Sequence, residues 1–354
     1  MGGTLGIRLS IKKWGGFTAI GGEKVRNHII FFSGGKSSFS VADYVKENYP
    51  NDNIVLYFTD TRWENHDLYR FINEASDKLE LPLLTHAHGL NPVELMFEKK
   101  LVFNSRIGDC SKILKMKTAR DYLKNGKKPE FEEWRNKHYL KSDDFITDAT
   151  LYFGISFDEM HRAEPIKKNW KPFKVEMPLI DNVIDNNEIL KKHNIEEPEL
   201  YKLGFTHNNC NGRCVKAGQA HFKNLKEQMP EEFKKLMEQE HHLKVCVDAY
   251  RYIKRIPDDE ITEEERQFMY DELDDAYRDY FYGRADKPKV YIPPQATASP
   301  EHVEFKTYSF MKRTKNKETK PYPLGELARD LKEDEKQIDL FDFGGCGCFV
   351  EYEG

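Results

Sequence analysis

Four consecutive apolar residues, Ile29, Ile30, Phe31 and Phe32, run without a break into Ser33, Gly34, Gly35, Lys36, Ser37 and Ser38. No other stretch limits the fold so tightly. A short run of bulky and β-branched residues reads as a strand buried on both faces. Two glycines at its end let the backbone turn sharply and come close to a ligand. The following stretch, FSVADYVKENY, reads as a helix. Its N-terminus would bring unsatisfied N–H groups and a partial positive charge to the same spot. Ser33, Ser37 and Ser38 add hydroxyls, and Lys36 adds a charge. The expectation is a phosphate-binding loop; the plain alternative is a Gly-Gly turn between strand and helix. The Walker form is excluded, because Ile30 stands where that motif needs its first glycine.

The same alternation continues downstream. NIVLYFTD, residues 53–60, reads as a second parallel strand. Leu68, Phe71, Ile72, Ala75 and Leu79 then recur at helical spacing. Residues 82–87 and 151–155 read as third and fourth strands, and residues 174–180 as a fifth, with a polar helix running to His193. Residues 124–150 are polar and read as an exposed helical excursion. Strands alternating with helices predict an α/β fold with a doubly wound, mainly parallel sheet. Ligands of such sheets sit at the carboxyl ends of the strands. Asp60 and Thr61 therefore fall where a nucleotide's sugar or base would lie, or they cap the next helix. Gly154 is followed by Asp158, Glu159, His161 and Arg162. That cluster is either a solvated loop or a set of donors for phosphate or sulfate.

Six cysteines in 354 residues are too few for a disulfide scaffold. Cys110 lies near the start of a basic helix, beside Arg106 and Lys112. There it is a thiol of lowered pKa suited to nucleophilic work, or a small buried side chain. Cys210 and Cys214 form one close pair, and Cys346 and Cys348 another within the glycine-rich tail. Four thiolates suit a [4Fe–4S] cluster or a tetrahedral zinc; the alternative is two unrelated reduced pairs. Cys246 falls on an apolar helical face and reads as core.

Net charge is −5, so nucleic acid would have to be met by a local patch. The stretch between Lys306 and Lys320 is such a patch, with Tyr308, Phe310 and Tyr322 as stacking candidates, or it is a flexible basic loop. Apolar runs are too short to span a membrane. The N-terminal residues lack the pattern of a secretory leader, so a reducing cytoplasm is expected. The chain divides into an arm (1–27), an α/β domain (28–200), a cysteine-bearing helical region (201–282), and an extended basic arm with the cysteine tail (283–354).

SGGKSS, FTDT, RIGDCSKILK, GISFDEMHRAEP, PLIDN and LYKLGFTHNNCNGRCVKAGQAHF follow one another in order. Together they resemble the phosphoadenosine-phosphosulfate reductase-like proteins of the PP-loop superfamily (adenine nucleotide alpha hydrolase-like), in particular bacterial and phage-type members. The resemblance covers about residues 28–225, with GGCGCF as a further match. It implies a site for ATP or a related adenine nucleotide, made by Ser33, Gly34, Gly35, Lys36, Ser37, Ser38 and Asp60. Arg162 would lie near the phosphates or sulfate, and Mg²⁺ would accompany the nucleotide. The implied chemistry is adenylylation with pyrophosphate release, then sulfur or related group transfer, with nucleic acid or partner subunits as further ligands. There are departures. Ser37 stands where the commonest loop has Asp. Neither a Glu-Cys-Gly tripeptide nor an adjacent Cys-Cys pair occurs. Sulfonucleotide reduction with Cys110 as the thiol is the second expectation. A non-catalytic nucleotide-sensing or nucleic-acid-binding subunit is the third.

Overall fold

The computed structural model describes residues 25–104, 106–289, 308–315 and 317–333. The chain opens with β1 (Asn27–Phe31), α1 (Lys36–Asn48), β2 (Asn53–Asp60), α2 (His66–Leu79), β3 (Leu83–Ala87) and α3 (Pro92–Glu98). A π-helical turn (Ser111–Lys117) runs into α4 (Thr118–Asn125), then β4 (Phe131–Arg135) and β5 (Thr150–Tyr152). After a 3₁₀ turn (Phe157–Arg162) come α5 (Ala163–Asn169), β6 (Lys174–Glu176), α6 (Pro178–Asp181), α7 (Asn186–His193) and α8 (Glu199–Lys202). The helical region holds α9 (Gln219–Gln228), α10 (Pro230–Arg255) and α11 (Glu263–Phe281). A hairpin of β7 (Met311–Lys315) and β8 (Glu318–Tyr322) leads into α12 (Leu324–Glu333).

The six-stranded sheet has the order β4-β3-β2-β1-β5-β6. All neighbours are parallel except β3 and β4. From β1 the chain builds outward through β2 and β3, then returns to the other side of β1 with β5. That reversal places a crevice at the carboxyl ends of β1 and β5, where open α/β sheets bind ligands. Side chains of β1 alternate between two cores. Ile30 and Phe32 pack with Phe39, Leu56 and Phe71, whereas Ile29 and Phe31 pack with Val55, Phe153 and Trp170. Burial on both faces explains the unbroken apolar run. A third core joins Trp63, α3, Cys110 and Leu114 to α9, α10, α11 and the hairpin. Cys246 lies in it, as its apolar surroundings in the sequence suggested.

The structure corrects the sequence reading at four places. Residues 131–135 are an antiparallel edge strand, with Leu84 opposite Trp134. The exposed charges that made this stretch look helical are what an edge strand carries to stay unpaired, while Trp134 packs edge-on against Phe145. The strand expected over 174–180 ends at Glu176, because Pro178 opens α6. Within residues 283–325, the described part from 308 on is a packed hairpin rather than an extended arm. Glu240 of α10 accepts the backbone N–H groups of Phe310 (2.8 Å) and Leu324 (2.7 Å). Phe310 and Tyr322 are buried in this contact and are not available to stack on bases; the Tyr308 ring lies under the Arg251 guanidinium at 4.3 Å. Residues 1–24 and Cys346 and Cys348 of the expected metal set lie outside the described residues. No helix among the described residues is long and apolar enough to cross a membrane.

Candidate functional site

Gly34 adopts a φ of +78°, and a Cβ there would lie 2.8 Å from Leu68 Cγ. A glycine is needed both for the left-handed backbone and for the close packing. Gly35 is extended and caps α1, whose first residue is Lys36. Ser38 Oγ donates to the Gly35 carbonyl at 2.8 Å. Asn208 Nδ2 donates to the Gly34 carbonyl, also at 2.8 Å, so that carbonyl is held by a segment far along the chain. The N–H groups of Lys36, Ser37 and Ser38 are the first-turn donors that a helix leaves unmet internally. Tyr201 Oη stands 3.4 Å from the first of them. Gly154, just beyond β5, closes the other side: a Cβ on it would lie 2.9 Å from Ser38 N.

Between these walls is a cavity of about 110 Å³, lined in part by Ser33, Ser37, Gly154, Arg162, Lys115 and His207. Arg162 is buried and ion-paired with Glu159. Lys115 comes from the π-helical turn, a widened geometry frequent at functional sites. Its ammonium lies 3.4 Å from Glu64 Oε1, with side-chain exposures of 6% and 1% for the pair. Glu64 also accepts the Thr61 hydroxyl at 2.8 Å and the Cys210 backbone N–H. Thr61 thus reaches the site through Glu64. Asp60 accepts from Arg62 N (2.7 Å) and Tyr69 Oη (2.9 Å). Burial, helped by the Glu64 charge, holds its carboxyl above the ordinary range despite those bonds. The cap of α2 is Asn65, which accepts from Asp67 N, so neither Asp60 nor Thr61 is its N-cap residue.

The Lys36 ammonium is turned to Glu197 (3.0 Å) and Asn187 (3.3 Å), over the Tyr201 ring. Its side chain is not part of the cavity lining, while its backbone N–H belongs to the loop. Cys210 and Asn211 both have positive φ and start a tight turn into Gly212. The Cys210 and Cys214 thiols are hydrogen-bonded, and Cys110, Lys115 and Glu64 lie in the electrostatic surroundings of Cys210. Against the lowering bond from Cys214, burial and the Glu64 charge hold the Cys210 thiol above its ordinary value. Among the described residues, no group of three or more His, Cys, Asp or Glu is arranged to hold a metal ion. Cys210 and Cys214 are the two of the four expected thiols that fall among the described residues.

Residues 27–132 match the family model described as the phosphoadenosine phosphosulfate reductase domain. The α/β unit is a phosphoadenosine phosphosulfate reductase-like domain of the PP-loop superfamily. Its six-stranded, mostly parallel sheet with flanking helices agrees with that assignment, and the family is a nucleotide-binding one. A search of curated proteins gave no match. The matched part of this reductase-like domain holds the loop, Asp60, Glu64, Cys110 and Lys115. Gly154, Arg162, Tyr201, His207 and Asn208 lie beyond it and complete the cleft. Glu64, Lys115, Tyr201, His207 and Asn208 were not singled out from sequence. The available signals were weak: a polar His-Asn-Asn turn beside Cys210, and one lysine among several in a basic segment.

Proposed function

We propose that the protein binds ATP or a related adenine nucleotide in this cleft and transfers the adenylyl group to an acceptor, releasing pyrophosphate, as the first step of a sulfur or related group transfer. The observation that carries this reading is the cradle of α1 first-turn N–H groups closed by Gly154, with Arg162 and Lys115 in its wall. In the proposed step an acceptor oxygen forms a bond to the α-phosphorus. The bond from that phosphorus to the bridging oxygen breaks, and pyrophosphate leaves with the electron pair. Donors already fixed around the departing charge stabilise it without reorganising. Lys36 contributes through its backbone N–H, and Arg162 through its guanidinium. Bound Mg²⁺ would neutralise part of the nucleotide's charge. Among the described residues no group of three or more His, Cys, Asp or Glu is arranged to hold it; the nucleotide's phosphates with one or two carboxylates would suffice.

The four thiols Cys210, Cys214, Cys346 and Cys348 are proposed to hold a [4Fe–4S] cluster or zinc. Exposed Lys312, Lys315 and Lys317 on the hairpin are proposed to meet the phosphates of a nucleic-acid acceptor. The test is pyrophosphate release from ATP by the full chain, with RNA, DNA and no acceptor compared. Pyrophosphate together with an adenylylated acceptor is the expected result. Release of orthophosphate and ADP instead overturns the reading.

A second reading is sulfonucleotide reduction. It is favoured by one observation: Cys110 lies in the electrostatic surroundings of Cys210, as does the cavity-lining Lys115. Sulfite formed from adenylyl sulfate and a dithiol, and lost in Cys110→Ser, would establish it in place of the first.

A further inference from the structure

We propose that His207 is the proton-linked residue of the cleft, taking up a proton as a phosphoryl or sulfuryl oxyanion enters. The inference rests on the reading of the cleft as an anion site.

Three other enclosed imidazoles have partners. His28 bonds Asp52 and Tyr152. His86 bonds Tyr57 and Glu132. His221 bonds the Gly212 carbonyl at 2.7 Å. His207 lines the cavity and makes no hydrogen bond to another described residue. A polar side chain in a cleft wall with its ring nitrogens unclaimed keeps its hydrogen-bonding capacity for a ligand. Its place is set closely. The next residue, Asn208, is 2% exposed and tied to the Gly34 carbonyl at 2.8 Å. The imidazole is therefore one residue from a direct link to the phosphate-binding loop.

The charged and titratable groups facing His207 are Glu159 and Arg162 from the 3₁₀ turn and His221 from α9. Lys115 shares the cavity, paired with Glu64. Arg162 and Glu159 form an ion pair, so much of their field cancels. Burial first and Arg162 second hold the ring below the ordinary imidazole range, against Glu159. His207 is then neutral at neutral pH. A ligand oxyanion in a space of about 110 Å³ lies within a few ångströms of every wall. At such range an opposite charge favours the protonated ring. The ligand raises the ring's proton affinity, and by linkage the proton raises the affinity for the ligand. A neutral nucleoside does neither. The cleft therefore selects for a charged group at this end, and increasingly so as pH falls.

The test is titration calorimetry of the full chain with sodium sulfate and, separately, with ATP. Each is run between pH 6 and 8 in two buffers of different ionisation heat. Sulfate does not titrate in this range; ATP does, so its arm is read as wild type minus variant. Proton uptake on sulfate binding is expected near pH 6.5, with affinity falling about tenfold toward pH 8 for one proton lost. His207→Gln should bind sulfate with no uptake and no pH slope while melting at the wild-type temperature. His207→Asn is the second variant should the glutamine form melt early. Uptake seen with both ligands, or with one alone, supports the proposal and says whether the group is phosphoryl or sulfuryl. Binding with no uptake for either ligand, or uptake that survives in His207→Gln, overturns it while the anion-site reading stands. If neither ligand binds, that reading fails and the inference goes with it.

Discussion

A Cβ placed on Gly154 would lie 2.9 Å from Ser38 N and 3.0 Å from the Ser37 carbonyl carbon. The neighbours are backbone, which cannot swing aside as a side-chain tip would. The end of β5 therefore presses on the first turn of α1, and the donors of that turn are aimed by this contact. Gly154→Ala should cost about 1–3 kcal/mol of stability through overpacking and weaken ATP binding by roughly tenfold or more as the donors shift. Urea melts and calorimetric titration measure both. A variant that is destabilised but binds ATP normally would separate the contact from the site.

Lys36 and Arg162 are the two cations that the sequence places at the loop, and the structure gives them different surroundings. Lys36 is partly exposed and held by Glu197. Losing such a pair costs about 0–1 kcal/mol. Lys36→Met is expected to change ATP affinity by less than about fivefold, on the order of what that loss allows. Arg162 is buried in the cavity wall, where a charged hydrogen bond to the ligand is worth about 1.5–3 kcal/mol. Arg162→Met should weaken ATP by roughly tenfold or more. Equal losses would mean that the lysine leaves Glu197 when nucleotide binds.

Glu64 and Lys115 form a buried ion pair. Lys115→Met leaves the carboxylate buried without its countercharge and should cost about 3–5 kcal/mol. Adding Glu64→Gln should restore part of that loss, since the amide still accepts from Thr61. A full double-mutant cycle by chemical denaturation checks the pair. Additive losses would show that the two charges do not interact.

Glu240 carries a pH dependence of definite sign. Burial pushes its carboxyl up to about 7, against about 4.3 in an unfolded chain. Between these values the folded state binds more protons than the unfolded state, so this residue's contribution to stability falls as pH rises. Asp248, pushed up to about 6 by burial, acts in the same direction. His221, held down at about 4 by burial, acts in the opposite direction over an overlapping range. The readout is therefore a difference. The stability of wild type minus Glu240→Gln should decline from pH 5 to pH 7.5 and then level off. A flat difference curve would place the Glu240 titration elsewhere.

Metal content tests the cysteine proposal. Full-length protein purified without oxygen should carry near-stoichiometric iron and acid-labile sulfide, or zinc. Cys210→Ser and Cys346→Ser should each lose it. Loss in the first variant alone would remove the tail cysteines from the set. Metal-free wild type would leave Cys210 and Cys214 as a hydrogen-bonded dithiol.

Much of the fold was legible because its signals are local. The strand run 29–32, the helical spacing of Leu68, Phe71, Ile72, Ala75 and Leu79, and the glycine pair each declare themselves within a few residues. Phe131–Arg135 was not legible, since an edge strand open to solvent has no apolar stripe and is defined by its partner β3. Phe310 and Tyr322 were misread for a related reason. Their basic neighbours suggested an exposed patch, and only the docking on Glu240 buries them.

The sequence alone determined a strand, a glycine turn and a helix N-terminus meeting at one point, and from that an anion-binding loop in a parallel sheet. Backbone geometry at glycine and the period of apolar residues are properties of neighbouring residues, so they survive without a third dimension. The tertiary structure decided which groups face the loop. It turned the Lys36 ammonium out to Glu197, buried Lys115 against Glu64, and brought Tyr201, His207 and Asn208 to the cleft across more than 150 positions of chain. Burial and charge pairing are set by what lies across space, and that information is absent from the order of residues near any one of them.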